Sequence, residues 1–119
     1  MVTLDIIYQA AFALKDVARK TDLIYAKKLS DESKLYLKTE NLQVTGSFKL
    51  RGAYYKISRL NDEQKKAGII ACSAGNHAQG VALAASQMGI KSVVCMPDGA
   101  PISKVEATKA LGAEVRLVP

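Results

Sequence analysis

Lys49 is the residue of this chain best placed for covalent chemistry. It follows Thr45-Gly46-Ser47-Phe48, whose Thr-Gly-Ser start suits a helix entry. Apolar residues then recur at Leu50, Tyr54, Ile57 and Leu60, which is helical spacing. Lys49 therefore falls in a first turn, where the partial positive charge of the helix end disfavours a cation. A neutral lysine amine adds to carbonyls, so the chemistry on offer is Schiff-base formation with a carbonyl cofactor. Most lysines at a helix start are solvated surface residues, and position alone does not distinguish this one.

A second group, Ser73-Ala74-Gly75-Asn76-His77-Ala78-Gln79-Gly80, combines a hydroxyl, two amides and an imidazole with two glycines. It lies between an apolar run, Gly68 to Cys72, and a helical pattern, so it marks a strand-to-helix junction. In open parallel sheets that end of a strand is where ligands bind. A helix start also offers free N–H groups and a favourable dipole to an anion. An ordinary turn, with Gly75 shaping the backbone and Asn76 as cap, has the same composition. His77 occupies a first-turn position that aims its side chain away from the N–H cluster, so a structural place suits it better than the role of base. Ser73 is the better candidate for direct contact with a substrate. Cys72 and Cys95 each sit in an apolar run without metal-ligand spacing, and are expected to be buried, reduced thiols of a cytosolic protein.

The elements that must position these residues follow from periodicity. Residues 4–18 place Leu4, Ile7, Ala11, Leu14, Val17 and Ala18 on one helical face. Thr3 caps that helix, Asp5 lies in its first turn, and Lys15, Arg19 and Lys20 lie near its end. Residues 34–38 alternate as a short strand. Asn61 with Gln64 makes a capping box for a short helix that Gly68 ends. Gly68 to Cys72 is a continuous apolar strand of the kind buried on both faces. A helix over 77–88 turns Val81, Ala82, Ala85 and Met88 inward and stops at Gly89. A strand at 92–96, a helix opened by Pro101 with a Ser103–Glu106 capping box and closed by Gly112, and a strand at 114–118 complete the chain. This alternation predicts an α/β fold of right-handed βαβ units around a parallel sheet.

At 119 residues the chain is one domain or less. It has no run near the roughly 18 apolar residues of a membrane span. The start, Met1 to Ile7, carries an early acid and no basic, apolar, small-residue order, so no signal peptide is read. The net charge of +6 is scattered over residues such as Lys15, Lys27, Lys65 and Lys66 without interleaved aromatics, which argues against nucleic-acid binding.

Thr45-Gly46-Ser47-Phe48-Lys49-Leu50-Arg51-Gly52-Ala53 resembles the cofactor-lysine segment of threonine ammonia-lyases, which are fold-type II (tryptophan-synthase-β-like) pyridoxal-phosphate enzymes. Ser73 to Gly80 resembles that family's substrate loop. Met96-Pro97, Ala100-Pro101, Lys104 and Gly112 to Val115 resemble the strand–helix–strand that follows, with no catalytic role assigned. The resemblance runs almost the full length and departs from the family at Asp22, where proline is common, which leaves that entry loop less rigid. It implies that Lys49 holds pyridoxal 5'-phosphate as an imine and that Phe48 packs on the ring. Asn76 would bond the ring's phenolic oxygen. Backbone N–H groups of Ser73, Ala74, Gly75, Asn76 and His77 would hold the carboxylate of a small amino-acid substrate. It implies deamination of threonine to 2-oxobutanoate, or of serine to pyruvate, in a cytoplasmic homo-oligomer with no membrane or nucleic-acid partner.

In the family's serine racemases a serine stands where this chain has Ala74, which favours elimination over racemisation. Serine racemase and 3-hydroxyaspartate ammonia-lyase stay as alternatives. The family's glycine-rich phosphate loop has no counterpart among the eight isolated glycines here. That loop and the partner of the pyridine nitrogen are expected beyond Pro119, in an enzyme of which this is a truncated part. Residues 1–52 would go with a large lobe and 53–119 with a small-lobe βαβ segment. A catalytically inactive fragment is the rival from outside enzymology.

Overall fold

The computed structural model describes residues 1–119. The chain opens with α1 (Leu4–Ala13), where Thr3 Oγ1 accepts from the Ile6 N–H and Asp5 lies in the first turn. The helix was expected to reach residue 18 but stops at Ala13, with Leu14 as its cap. Residues 14–18 turn instead, with the Val17 and Ala18 N–H groups both donating to the Leu14 carbonyl, and the Gln43 side chain then holds both the N–H and the carbonyl of Arg19 at 2.8 and 3.0 Å. No residue of α1 itself is buried; Leu14, just past its end, is.

Two short strands come next, β1 (Leu23–Tyr25) and β2 (Tyr36–Lys38), paired antiparallel with Ile24 opposite Leu37. β2 starts two residues later than its alternation predicts. β1 lies in the segment taken as an entry loop. Three residues are too few to show a period, and the pairing is carried across strands, with the Tyr25 and Tyr36 rings 5.2 Å apart.

The remaining elements form the βαβ unit. α2 (Lys49–Ser58) buries Leu50 and Ile57 as expected, but Ala53 and not Tyr54 between them; Tyr54 and Leu60, the latter past the helix end, are only partly buried against the core. The lobe boundary expected at 52/53 falls inside this helix. α3 (Asp62–Ala67) carries the expected capping box, with Asn61 Oδ1 accepting from the Gln64 N–H and Gln64 Oε1 from the Asn61 N–H. The strands β3 (Ile69–Cys72), β4 (Ser92–Pro97) and β5 (Glu114–Val118) run parallel in that spatial order, joined by α4 (Asn76–Gln87) and α5 (Ile102–Ala110). Right-handed crossovers that step in one direction put both helices on the same face. The core lies on that face. Ala53, Ile57, Val81, Ala84, Ala85 and Ile90 join α2 to α4. Ala78, Ala82, Val94, Met96, Val105 and Ala113 join α4 to the sheet and α5.

The opposite face is uncovered, which corrects two expectations. β3 is an edge strand and is not buried on both sides: Ile70 is 76% exposed. Cys72 is exposed and Cys95 half-exposed, because both point to that bare face. Continuous apolar sequence registers hydrophobicity and not which side a helix will cover. The Ser103–Glu106 box also does not form. α5 starts at Ile102 directly after Pro101, so Ser103 is already the second helical residue and caps nothing. Gly68, Gly89 and Gly112, expected to end helices, all have positive φ. No helix is long and apolar enough to cross a membrane.

Candidate active site

Lys49 is the first residue of α2 and is exposed. The turn before it is held by its own small residues: the Lys49 N–H donates to Ser47 Oγ at 3.4 Å, and Thr45 Oγ1 donates to the Ser47 carbonyl at 3.5 Å. Gly46 takes φ +68°. The helix is capped at Phe48 with no side-chain bond, so Thr45-Gly46-Ser47 shapes the approach to the helix and is not its cap. The Lys49 ammonium lies 5.0 Å from the centre of the Phe48 ring. That ring face attracts a cation and so works against the helix dipole, a contribution the helix-start expectation did not include.

An ion pair fixes the turn of α2 beyond the lysine. Arg51 donates from Nε to Glu40 Oε2 at 2.9 Å and from Nη2 to Glu40 Oε1 at 2.8 Å, a two-pronged contact. Thr21 Oγ1 donates to the same carboxylate, and Arg51 Nη2 also reaches the Arg19 carbonyl at 3.0 Å. The Arg51 guanidinium holds the Glu40 carboxyl down at about 2, against an ordinary 4.5. The clamp joins the 3-10 turn Glu40–Leu42 to the start of α2, two residues past Lys49.

The second group sits where the sequence places it, between β3 and α4. The Ser73 N–H donates to the Cys95 carbonyl at 3.1 Å, which ties the loop to β4. Ser73 Oγ accepts from the Gly75 N–H at 3.3 Å. Gly75 is the cap residue of α4 and Asn76 its first residue, one position from the expected cap. No side chain caps α4 and no acid lies in its first turn, so its leading N–H groups are open to an anion. His77 is exposed and lines a groove with Gly52, Lys56 and Ile70, between α2 and β3.

One glycine brings the two groups together. A Cβ built on Gly80 would stand 3.1 Å from the Lys49 carbonyl carbon and oxygen and 3.2 Å from the Leu50 nitrogen. Only a residue without a side chain lets α4 lie this close to the first turn of α2. Gly80 is one helical turn from Asn76, so the lysine is seated beside the open end of α4.

Lys104 was read from the sequence without a role. Its ammonium, from the first turn of α5, donates to Asn76 Oδ1 at 3.5 Å. With its oxygen so engaged, the Asn76 amide has its N–H₂ left to donate. This contact spans 28 residues and has no local signal. The whole arrangement sets a lysine ammonium against an aromatic face, near a helix start with open N–H groups and an amide with its N–H₂ free to donate.

A family profile described as "Pyridoxal-phosphate dependent enzyme" matches residues 14–119. The chain is 53% identical over 119 residues to the L-threonine ammonia-lyase of Thermotoga maritima, covering 98% of this chain and 30% of that protein. Among solved structures it matches maize serine racemase with a TM-score of 0.91 at 36% identity, covering 98% of this chain and 36% of that one. It matches the processed form of threonine deaminase isoform 2 from Solanum lycopersicum with a TM-score of 0.82 at 40% identity, with the same 98% and 36% coverage. The chain thus spans about a third of the length of these relatives. On this evidence of motif, geometry and likeness, the chain belongs to the pyridoxal-phosphate dependent enzyme family.

Proposed function

We propose that this chain supplies the lysine and the carboxylate loop of a longer threonine ammonia-lyase, which converts L-threonine to 2-oxobutanoate and ammonia, and L-serine to pyruvate. The observation that carries the proposal is the seating of Lys49 beside the open start of α4 across Gly80. The names of the Thermotoga maritima and Solanum lycopersicum relatives support the choice of substrate.

The residues present fit an aldehyde-bearing pyridine cofactor: an exposed amine, an aromatic ring beside it and an amide with donors free. When bound, that cofactor supplies an electron sink for the charge left at the substrate α-carbon. Lys49 would hold the cofactor through its amine and would then serve as the base for the substrate α-proton. Phe48 would pack on the ring, and the free Asn76 N–H₂ would donate to its phenolic oxygen. The Ser73 N–H is committed to the Cys95 carbonyl and the Gly75 N–H to Ser73 Oγ, so of the five N–H groups expected to hold the substrate carboxylate those of Ala74, Asn76 and His77 are left for it, with the dipole of α4 behind them. Loss of the β-hydroxyl leaves an enamine, which water converts to the oxo acid and ammonia. Phosphate anchoring belongs, in this proposal, to residues outside the chain. So do the large lobe that residues 1–52 would join and the cytoplasmic homo-oligomer.

The likeness to maize serine racemase brings racemisation forward as a second reading. Racemisation needs a second group that can carry a proton, and the Ala74 methyl cannot. Elimination alone is therefore assigned. The test is Lys49→Ala in the longer protein. Loss of both 2-oxobutanoate release and borohydride-fixed cofactor on the Lys49 peptide is expected. Retention of both overturns the assignment.

A further inference from the structure

Lys49 stands at the end of a buried polar network. Thr21, Gln43, Thr45 and Ser47 are buried, and the Glu40 side chain is only 14% exposed. That burial comes from the chain's own residues. Gln43 Oε1 accepts from the Arg19 and Val44 N–H groups, and Gln43 Nε2 donates to the Arg19 carbonyl. Glu40 accepts both prongs of Arg51 and the Thr21 hydroxyl. Ser47 Oγ accepts from the Lys49 N–H. No buried side-chain oxygen or nitrogen of this network lacks a partner. A buried polar network that is fully satisfied is rigid and holds one arrangement. Its consequence falls on α2. At about 100° per residue, Lys49 and Arg51 point roughly 200° apart around that helix, with Leu50 between them. Leu50 is fully buried and Arg51 is clamped, so two of three consecutive side chains are fixed and the remaining direction is left to Lys49. The carboxylate loop is anchored separately, by the bond from the Ser73 N–H to the Cys95 carbonyl.

We propose that Glu40 and Arg51 are positioning residues, whose clamp sets the rotation of the first turn of α2 and so aims the Lys49 amine at the cofactor and the substrate α-carbon. The inference rests on the function proposed above for Lys49. The Glu40 oxygens are committed to Arg51 and Thr21, so Glu40 acts through the helix. In Glu40→Gln an N–H₂ replaces one accepting oxygen and faces a guanidinium donor, so one prong is lost. Arg51→Lys keeps the charge but gives up the fork. A misaimed amine slows proton transfer and holds the cofactor less well. It leaves the grip on the substrate carboxylate alone, because that loop hangs from β4 and not from α2.

The test compares Glu40→Gln, Arg51→Lys and Asn61→Ala in the longer protein, loaded with pyridoxal 5'-phosphate and held well below its melting temperature. Asn61→Ala breaks the capping box of α3, a stability loss of similar size away from Lys49. Both clamp variants should lose about tenfold or more in kcat for threonine, with KM within about twofold of wild type. Asn61→Ala should keep the wild-type kcat. Release of cofactor into buffer, followed without substrate by the borohydride-fixed cofactor remaining on the Lys49 peptide, should be faster in the two clamp variants alone. Wild-type kcat and cofactor release in either clamp variant would overturn the positioning role. So would an equal fall in Asn61→Ala, or a raised KM with kcat unchanged. Cofactor fixed on a lysine other than Lys49 in the wild-type protein would overturn the proposed function and this inference with it, which tells the two failures apart.

Discussion

Gly80→Ala tests whether one missing side chain sets the distance between the two halves of the site. The added Cβ would stand 3.1 to 3.2 Å from three backbone atoms of Lys49 and Leu50. Carbon contacts are comfortable at about 3.5–4.0 Å, so α2 and α4 must separate by a few tenths of an ångström. Backbone atoms in a helix cannot swing aside as a side-chain end does. Overpacking of this kind costs about 1–3 kcal/mol. Replacing glycine by alanine inside a helix returns about 0.8–1 kcal/mol. The net expectation is a loss of about 1 kcal/mol. Gly52→Ala supplies the control. It lies within α2, with nothing inside 4 Å of a built Cβ, and should gain about 0.5–1 kcal/mol. Both substitutions share the propensity gain, so the difference between them isolates the clash. At about 4 °C per kcal/mol for a domain of this size, the two melting temperatures should differ by roughly 4–12 °C. Thermal unfolding followed by circular dichroism, repeated in urea, measures it. Equal melting temperatures would refute the claim that Gly80 sets the helix approach.

Glu40→Gln should lower stability by about 1–2 kcal/mol at neutral pH, since the pair with Arg51 is two-pronged and the Glu40 side chain is only 14% exposed. The folded-state carboxyl lies below its ordinary value, so its contribution is complete above pH 4.5 and is lost as pH falls toward 2. Urea titrations should therefore show wild type and variant converging over that window; a gap that persists at pH 2 would be inconsistent with the charge pair. Gly112→Ala should cost more than Gly89→Ala: both have positive φ, but only at Gly112 would a Cβ meet Ser86 Oγ, at 2.9 Å. About 1–3 kcal/mol of backbone strain applies to each, and equal losses would mean that Ser86 yields freely. In the longer protein, Ala74→Ser should admit some racemisation of serine while elimination continues. Efficient racemisation by the unsubstituted protein would remove the basis for assigning elimination alone.

What the sequence revealed divides along the range of the interactions. The Asn61–Gln64 box and the turning glycines are set by neighbours within a turn and appear where residue types place them; the α2 stripe does so only at Leu50 and Ile57, because the small Ala53 and not the bulky Tyr54 fits against α4. The bare face of β3 was not legible, because an apolar run reads the same whether helices cover one side or two. The path of the chain after α1 is held by Gln43, far along the chain, through its two bonds to Arg19, against an apolar period that continued to residue 18. At the candidate site, Lys49 and the Ser73–Gly80 loop stood out as local patterns. Their closeness across Gly80, and the contact of Lys104 with Asn76, depend on packing that local patterns do not encode.

The nearest-neighbour order of the parallel strands also governs when the site is built. Ile69 pairs with Ser92 and Val93 with Glu114, so each pairing closes a loop of 23 and 21 residues (92 − 69 and 114 − 93). Each parallel strand pairs with the next one in sequence, so the sheet can grow by successive addition. A chain emerging from the ribosome would have β3, α4 and β4 available together by Pro97. The bond from the Ser73 N–H to the Cys95 carbonyl belongs to that first pairing. The turn at the open start of α4 is therefore shaped at the first docking event, before β5 is added.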